Sequence, residues 1–392
     1  MYLPKKQGIQ KKRILDKIYA TGPISRIDLS KKLAITPATI SEIATNLILE
    51  KHIHELGEDE TTNKPGRKKI LLTISPDYSY YIGVELSEKF LSFCLSDNIG
   101  TIIKEKIISY DSWNNNKTLN DSLFSEELTQ FITQCEDYHP SAIGIAVPGH
   151  YDSLNESIKT NNPFWTNFSF THIKESIKIP IFLKNNVKCM AIAERLFGED
   201  KQDQNFIFLH VRRGMFNTYM YNGEIYADKN HLIGEIGHTV VNPSGELCEC
   251  GKRGCLQTYT SESWIINKAK LLYENTPHTF LKQLVSKKEQ LSIDTLIKAY
   301  RLGDEGVITL INQAILYFSI AINNLLMMMD SEIVYIHSEL FSDPELASYL
   351  NQSIEDNTSL VDLQNPTKRI FKPYRPINGA LGACGLCVYE TF

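Results

Sequence analysis

Apolar residues recur at helical spacing three times before position 50 and in strand-like runs from position 80 onward. Residues 9–19 place Ile14, Leu15 and Ile18 on one side of a first helix, which Pro23 closes. Ser25 or Asp28 caps a second helix that runs through Leu33. Thr36 is then a good N-cap, Pro37 fits the first helical position, and a third helix reaches Leu49 with Ile40, Ile43, Leu47 and Ile48 turned inward. Two alternating runs, 53–56 and 70–74, flank a polar stretch at 57–66 and predict a β-hairpin. From Tyr80 the runs Y-Y-I-G-V-E-L, F-L-S-F-C-L-S-D and T-I-I-K-E-K-I-I-S-Y predict three strands. Further strands are predicted at 142–147, 181–185 and 206–211, the second running into a helix. Residues 315–329 form a helix apolar on nearly all sides, which must be buried.

The first three helices and the hairpin have the order of a winged helix-turn-helix, which lays its second motif helix into the major groove. The outer face of that helix carries Thr39, Ser41, Thr45 and Asn46, and its start carries Thr36, Pro37 and Ala38. Arg67 and Lys68, with Lys69, put cations on the wing, suited to phosphates or the minor groove. Charge supports this assignment. Residues 1–72 hold 14 basic and 8 acidic residues, whereas the remainder holds 27 and 38, so a basic head precedes an acidic body. A small helical interaction domain with a solvated basic loop is the competing reading of the head.

At 392 residues two or three domains are expected. The boundaries we expect are 1–75 for the head, 76–193 plus 378–392 for a first lobe, and 194–377 for a second. The first residues show no apolar leader, and no run of eighteen uninterrupted apolar residues occurs. A cytoplasmic protein without membrane insertion is therefore expected.

Eight cysteines in this chain suit a reducing compartment, and three of them cluster. His238, Cys248, Cys250 and Cys255 fall within eighteen residues, punctuated by Gly245, Gly251 and Gly254. One imidazole and three thiolates are the donors of a closed tetrahedral Zn²⁺ site with a structural role. Cys94, Cys135, Cys189, Cys384 and Cys387 read as small buried hydrophobes.

The segments G-I-A-V-P-G (144–149), T-N-N-P-F-W (160–165), K-N-N-V-K-C-M-A-I-A-E (184–194), G-E-I-G-H (234–238) and C-x-C-G-x-x-G-C-L (248–256) together resemble the ROK family of repressors and sugar kinases. The resemblance covers nearly the whole chain. It implies an α/β body with the two-lobed, actin-like ATPase (ribonuclease H-like) fold, here behind a winged helix as in the family's transcriptional repressors. It also implies a monosaccharide effector in the cleft between lobes. The matching sugar contacts are Gly149, His150, Thr160, Asn161, Asn185, Asn186, Glu235, His238 and Gln257. Gln257 stands where the family usually has Glu.

The kinase pattern is departed from three times. The loop D-x-G-x-T-K is Glu85-Leu86-Ser87-Glu88-Lys89, the loop G-T-G-x-G is His210-Val211-Arg212-Arg213-Gly214, and the kinase N-D pair is Asn185-Asn186. An amide at 186 cannot take a proton from a sugar hydroxyl at neutral pH. The resulting expectation is a repressor, not an enzyme, that binds operator DNA as a homodimer or homotetramer. The alternatives are a sugar kinase with an appended DNA-binding domain and a regulatory module that binds another protein.

Overall fold

Thr36 and Pro37 set the geometry of the head. The Thr36 hydroxyl accepts from the Thr39 N–H, and Pro37 opens helix α3 (Pro37–Leu49). Ahead of it lie α1 (Lys5–Thr21), the two-residue strand β1 (Ile24–Ser25) and α2 (Arg26–Leu33). Ser25, not Asp28, caps α2, and its hydroxyl donates to the Asp28 carboxylate at 2.6 Å. Strands β2 (Ile53–Glu58) and β3 (Ile70–Ile74) pair antiparallel as the wing, with a bulge between Glu55 and Gly57, and β1 adds a third strand to this sheet. Ile40, Ile43 and Leu47 are buried beneath α3, while Ile48 is only half-buried because it lies at the edge of that face.

The computed structural model describes residues 5–58, 68–110, 119–160, 162–199, 205–357 and 367–392. Arg67, Asn161 and most of the wing tip lie outside the described residues. The chain divides into two units, residues 1–203 with 376–392, and residues 204–375. The head therefore belongs to the same unit as the first lobe. The boundary falls beyond the expected 193 because the helix begun at Asn186 continues to Phe197.

Unit 1 contains β4 (Tyr80–Leu86), β5 (Phe90–Asp97), β6 (Ile102–Ser109), α4 (Asp121–Gln134), β7 (Ala142–Val147), β8 (His150–Asp152), β9 (Ser157–Lys159), α5 (Thr171–Ser176), β10 (Ile181–Asn185) and α6 (Asn186–Phe197). Its main sheet has the order β10-β7-β4-β5-β6. The unbroken apolar runs become central strands buried on both faces, while β6, with alternating exposure, forms the edge. Phe93, Phe124, Phe131, Trp165, Phe168 and Phe170 fill one side of the sheet.

Unit 2 contains β11 (Phe206–Val211), β12 (Met215–Tyr221), β13 (Glu224–Ile225), α7 (Gln257–Thr260), α8 (Glu262–Asn275), α9 (Leu281–Leu284), α10 (Ile293–Arg301), α11 (Glu305–Met328), β14 (Ile333–Ser338), α12 (Pro344–Asp356) and β15 (Lys368–Pro373). Its sheet has the order β13-β12-β11-β14-β15. In both main sheets three antiparallel strands come first and two parallel strands are then added beside the first, so one topology occurs twice without any sequence repeat. This is the duplicated ribonuclease H-like arrangement of the actin-like fold. Helix α11 is long and apolar enough to cross a membrane, yet half of its most apolar stretch is buried within the protein. Phe318, Ile311, Ile315 and Ile322 on this helix join the core of unit 2.

The last helix, α13 (Asn378–Thr391), returns to unit 1. A Cβ at Gly83 would lie 1.9 Å from the Ala380 carbonyl oxygen, so α13 rests directly on the β4 backbone. Gly382 and Gly385 face Met190 and Ala193 of α6 at similarly close range. The three-residue glycine spacing thus permits backbone-to-backbone packing of two helices. Cys94, Cys135, Cys189, Cys384 and Cys387 are all buried, as their apolar surroundings in the sequence predict.

Candidate DNA, metal and sugar sites

Helix α3 exposes Thr36, Pro37, Ala38, Ser41, Glu42, Thr45 and Asn46 along one strip, with Thr39 half-exposed. The Thr36 and Thr39 hydroxyls lie 2.9 Å apart, and the Thr45 hydroxyl donates to the Ser41 carbonyl at 2.8 Å. Glu42, absent from the sequence reading, lies on the same strip as Asn46, one turn away. Lys69 is less available than its sequence suggests. Its ammonium is 2.9 Å from both carboxylate oxygens of Asp28, which ties the base of the wing to the start of α2. Lys68 is exposed, with Glu58 3.7 Å away.

The cysteine segment folds into a knuckle held by bridges between Val240 and Cys255 and between Leu247 and Arg253. Gly254 has φ +67°, and a Cβ there would collide with the Asn242 carbonyl, so no other residue fits this turn. The ligand atoms of His238, Cys248, Cys250 and Cys255 all lie within 4.8 Å of one another. Cys248 Sγ is 3.6 Å from His238 Nδ1, and Cys250 Sγ is 3.6 Å from Cys255 Sγ. Those separations match the edges of a tetrahedron around an ion with Zn–S of about 2.3 Å and Zn–N of about 2.0 Å. Burial raises the thiol pKa values of Cys248 and Cys255, the latter to about 12. Burial pushes the Cys250 thiol the same way, but the Lys252 backbone N–H and the neighbouring thiols outweigh it and the net shift is downward. The donor set therefore fits a soft divalent cation, which would hold the thiols as thiolates.

His238 lies in a short 3₁₀ turn, Ile236–His238, that follows Glu235. Its second ring nitrogen, Nε2, is 3.9 Å from the Glu235 carboxylate. Gln257 is buried, and its amide nitrogen lies 3.3 Å from Cys248 Sγ and donates to Glu249 at 3.1 Å. The structure thus places Gln257 against a thiol of the cysteine cluster.

In unit 1, Asn185 and Asn186 stand where β10 becomes α6. Asn185 Oδ1 accepts from the Val187 and Lys188 N–H groups at 2.9 and 3.2 Å, and its Nδ2 donates to the Gly149 carbonyl at 2.9 Å. Asn186 Nδ2 approaches Glu85 Oε1 at 3.4 Å. Gly149 has φ +111°, and a Cβ there would lie 2.7 Å from the Lys159 carbonyl and 3.0 Å from Thr160. The structure therefore brings Gly149, Thr160 and Asn185 together, with His150 next in chain on β8.

In the segments 85–89 and 210–214 side chains pair with other side chains of the protein. Glu88 takes a hydrogen bond from Asn162. Arg212 stacks on Tyr374, 3.6 Å from the ring centroid, and reaches Glu262 at 3.4 Å and Glu339 at 3.5 Å. Glu262 also accepts from the Ser338 hydroxyl and the Glu339 and Leu340 N–H groups. Beside them His210 and His337 face each other, Nδ1 to Nδ1, at 2.8 Å.

The sequence profile of the ROK family matches residues 81–388. The chain belongs to the ROK family. It is 26% identical over 335 residues to the xylose repressor of Bacillus subtilis, covering 85% of this chain and 82% of that one. It is 28% identical over 290 residues to the transcriptional dual regulator NagC of Escherichia coli, covering 72% and 68%. Among solved structures, a ROK family transcriptional regulator homologous to the E. coli MLC protein aligns with a TM-score of 0.76 at 22% identity, over 98% of this chain and 97% of that one. A ROK family glucokinase from Streptomyces griseus, in complex with glucose and AMPPNP, aligns with a TM-score of 0.66 at 18% identity, over 79% and 99%. The kinase leaves about a fifth of this chain unmatched, whereas the regulator covers nearly all of it.

Within this ROK framework the motif residues fall at element boundaries: Asn185–Asn186 at a strand end, Gly149 after β7, and His238 in the turn that leads into the knuckle. Sequence reading missed Asp16 and Arg195, which meet across 179 positions. Arg195 was visible only as a cation at the end of a helix otherwise full of apolar residues.

Proposed function

We propose that this ROK protein is a sugar-responsive, DNA-binding transcriptional repressor. The observation that carries the reading is the capped α3, whose exposed polar strip belongs to one unit with a ROK lobe. Thr36, Pro37, Ala38, Thr39, Ser41 and Thr45 would present to base edges in the major groove, and Arg67 and Lys68 to the DNA backbone. A palindromic operator would be read by a homodimer, or by two such pairs in a tetramer.

The effector we propose is a neutral monosaccharide, supported by relatives named for xylose and N-acetylglucosamine. Gly149, His150, Thr160, Asn161, Asn185 and Asn186 of unit 1, and Glu235, His238 and Gln257 of unit 2, are assigned to it by family resemblance. Convergent short-reach donors and acceptors suit a polyol. The sugar must bind the DNA-free arrangement more tightly than the DNA-bound one, by about 1–3 kcal/mol for a shift of roughly 5–150-fold. His238, Cys248, Cys250 and Cys255 would hold a structural Zn²⁺ that stiffens the knuckle and orients the His238 ring.

Loss of kinase chemistry is part of the same proposal. Asn186 offers no base for a hydroxyl proton, residues 85–89 hold no glycine to cradle phosphate while Glu88 repels it, and Arg212 fills the second loop. The test is a gel shift on the promoter region of neighbouring genes, with and without D-xylose, D-glucose and N-acetyl-D-glucosamine, alongside a coupled ATP assay with the same sugars. Retarded DNA released by one sugar, without ATP turnover, supports the reading; steady turnover or no retardation at low salt overturns it.

A further inference from the structure

We propose that Asp16 and Arg195 are a positioning pair that carries effector occupancy from α6 into the DNA-binding head; the proposal rests on the sugar reading above. Arg195 lies in the last turn of α6 and is only 7% exposed. Its guanidinium grips Asp16 of α1 in a bidentate fork, Nη1 to Oδ1 at 2.5 Å and Nη2 to Oδ2 at 2.7 Å. A two-bond fork fixes both distance and orientation, unlike a lysine contact. The first turn of the same α6 is capped by Asn185 and begins at Asn186, the amides assigned to the sugar. About 15 Å of continuous helix joins these amides to Arg195.

Further contacts tie the head to the same unit as this helix. The Tyr19 hydroxyl of α1 donates to the Asn98 carbonyl at 3.0 Å and lies 3.1 Å from the Tyr78 hydroxyl. Asn98 in turn donates its amide to the Ser75 carbonyl at 2.8 Å, bracing the segment that connects wing to lobe. Helix α13, which packs its glycines on α6, ends with the Phe392 ring 5.0 Å from the Tyr19 ring and with Tyr389 beneath the Lys12 ammonium. Helix α1 also holds the recognition elements. Arg13 donates to the carbonyl of Leu33 at the end of α2, and Lys11 pairs with Glu50 at the end of α3 at 2.5 Å.

A sugar hydroxyl that competes for the Asn185 or Asn186 amide alters the first turn of α6. The helix transmits that shift as a rigid rod, because α13 leaves no slack along its other side. Asp16 must then follow Arg195 or release it. A nearly buried guanidinium that loses its carboxylate is costly, so following is favoured and α3 changes its presentation.

The experiment uses the full chain and three variants: Arg195→Met, Asp16→Asn, and the swap Asp16→Arg with Arg195→Asp. Operator affinity is read by fluorescence anisotropy with and without the sugar that shifts the wild-type protein, and sugar affinity by calorimetry. Asp16→Asn keeps the side-chain shape and remains informative if Arg195→Met does not fold. Both single variants are expected to bind sugar within about threefold of wild type, while the sugar-induced change in operator affinity collapses from the roughly 5–150-fold range toward unity. The swap should restore part of the change, and amide hydrogen exchange in α1 should rise in the single variants. A responsive wild type whose single variants keep the full ratio overturns the pair alone. A wild type that binds operator but answers none of D-xylose, D-glucose or N-acetyl-D-glucosamine overturns the sugar reading and this inference with it.

Discussion

His238 serves two neighbours with one ring: Nδ1 lies 3.6 Å from Cys248 Sγ, and Nε2 lies 3.9 Å from the Glu235 carboxylate. A metal on the first nitrogen would fix the tautomer and aim of the second. The knuckle and the proposed sugar contact are thereby joined through a single imidazole.

Cys255→Ser is expected to abolish zinc retention and to lower stability, because metal binding to such a knuckle is folding free energy. Losing even about 3 kcal/mol in a unit of this size lowers Tm by roughly 6–12 °C. Elemental analysis and a thermal melt check this; metal content equal to that of wild type removes the cluster from consideration.

Glu235→Gln should weaken sugar binding by roughly 10–100-fold, the worth of a hydrogen bond to a charged group, and leave operator affinity in the absence of sugar unchanged. Calorimetry and anisotropy separate the two effects. A variant with normal sugar affinity shows that the carboxylate serves only His238.

Lys69 should behave differently from the other two wing cations, Arg67 and Lys68. Arg67→Ala and Lys68→Ala each should reduce the slope of log K against log salt by about 0.9 and weaken specific and non-specific DNA alike. Lys69 is bound to Asp28, so Lys69→Ala should leave that slope unchanged and destabilise the head by at most about 1 kcal/mol. Equal slopes for all three variants would contradict the assignment of Lys69 to the fold.

Stability should decline as pH falls below about 6.5, through the His210–His337 pair. Burial first, then the charges of Arg212 and Lys372, hold His337 down to about 3, and burial, His337 and Arg212 hold His210 well below its usual value. The unfolded chain takes up protons from about pH 6.5 downward that both folded imidazoles resist, His337 until about pH 3, so folding loses ground as pH falls below about 6.5. His337→Leu should flatten the dependence of Tm on pH between 6.5 and 5. An identical slope in the variant would assign the acid sensitivity elsewhere.

Much of the head could be read locally. Thr36, Pro37 and the inward Ile40 and Leu47 declare α3 through capping and spacing that span only a few residues. The cysteine cluster was equally legible, because all four donors lie on one short segment. Contacts between distant segments were not. Nothing near Asp16 announces Arg195, and Lys69 reads as a free cation until Asp28 is brought to it by the pairing of β1 with β3. Gln257 follows the family pattern in position, yet its amide turns to Cys248, a choice made by the fold of the knuckle. The repeated sheet order is also invisible in the sequence, since topology constrains burial and leaves residue identity free.

In the proposed function a sugar governs DNA binding without being converted. The most direct measurement is anisotropy of a labelled operator duplex bound by the full chain, titrated with D-xylose, D-glucose and N-acetyl-D-glucosamine in the absence and presence of ATP. One sugar is expected to release the duplex by roughly 5–150-fold in affinity, with ATP making no difference and no sugar phosphate formed. Duplex affinity unmoved by every sugar, or a phosphorylated product, would contradict it.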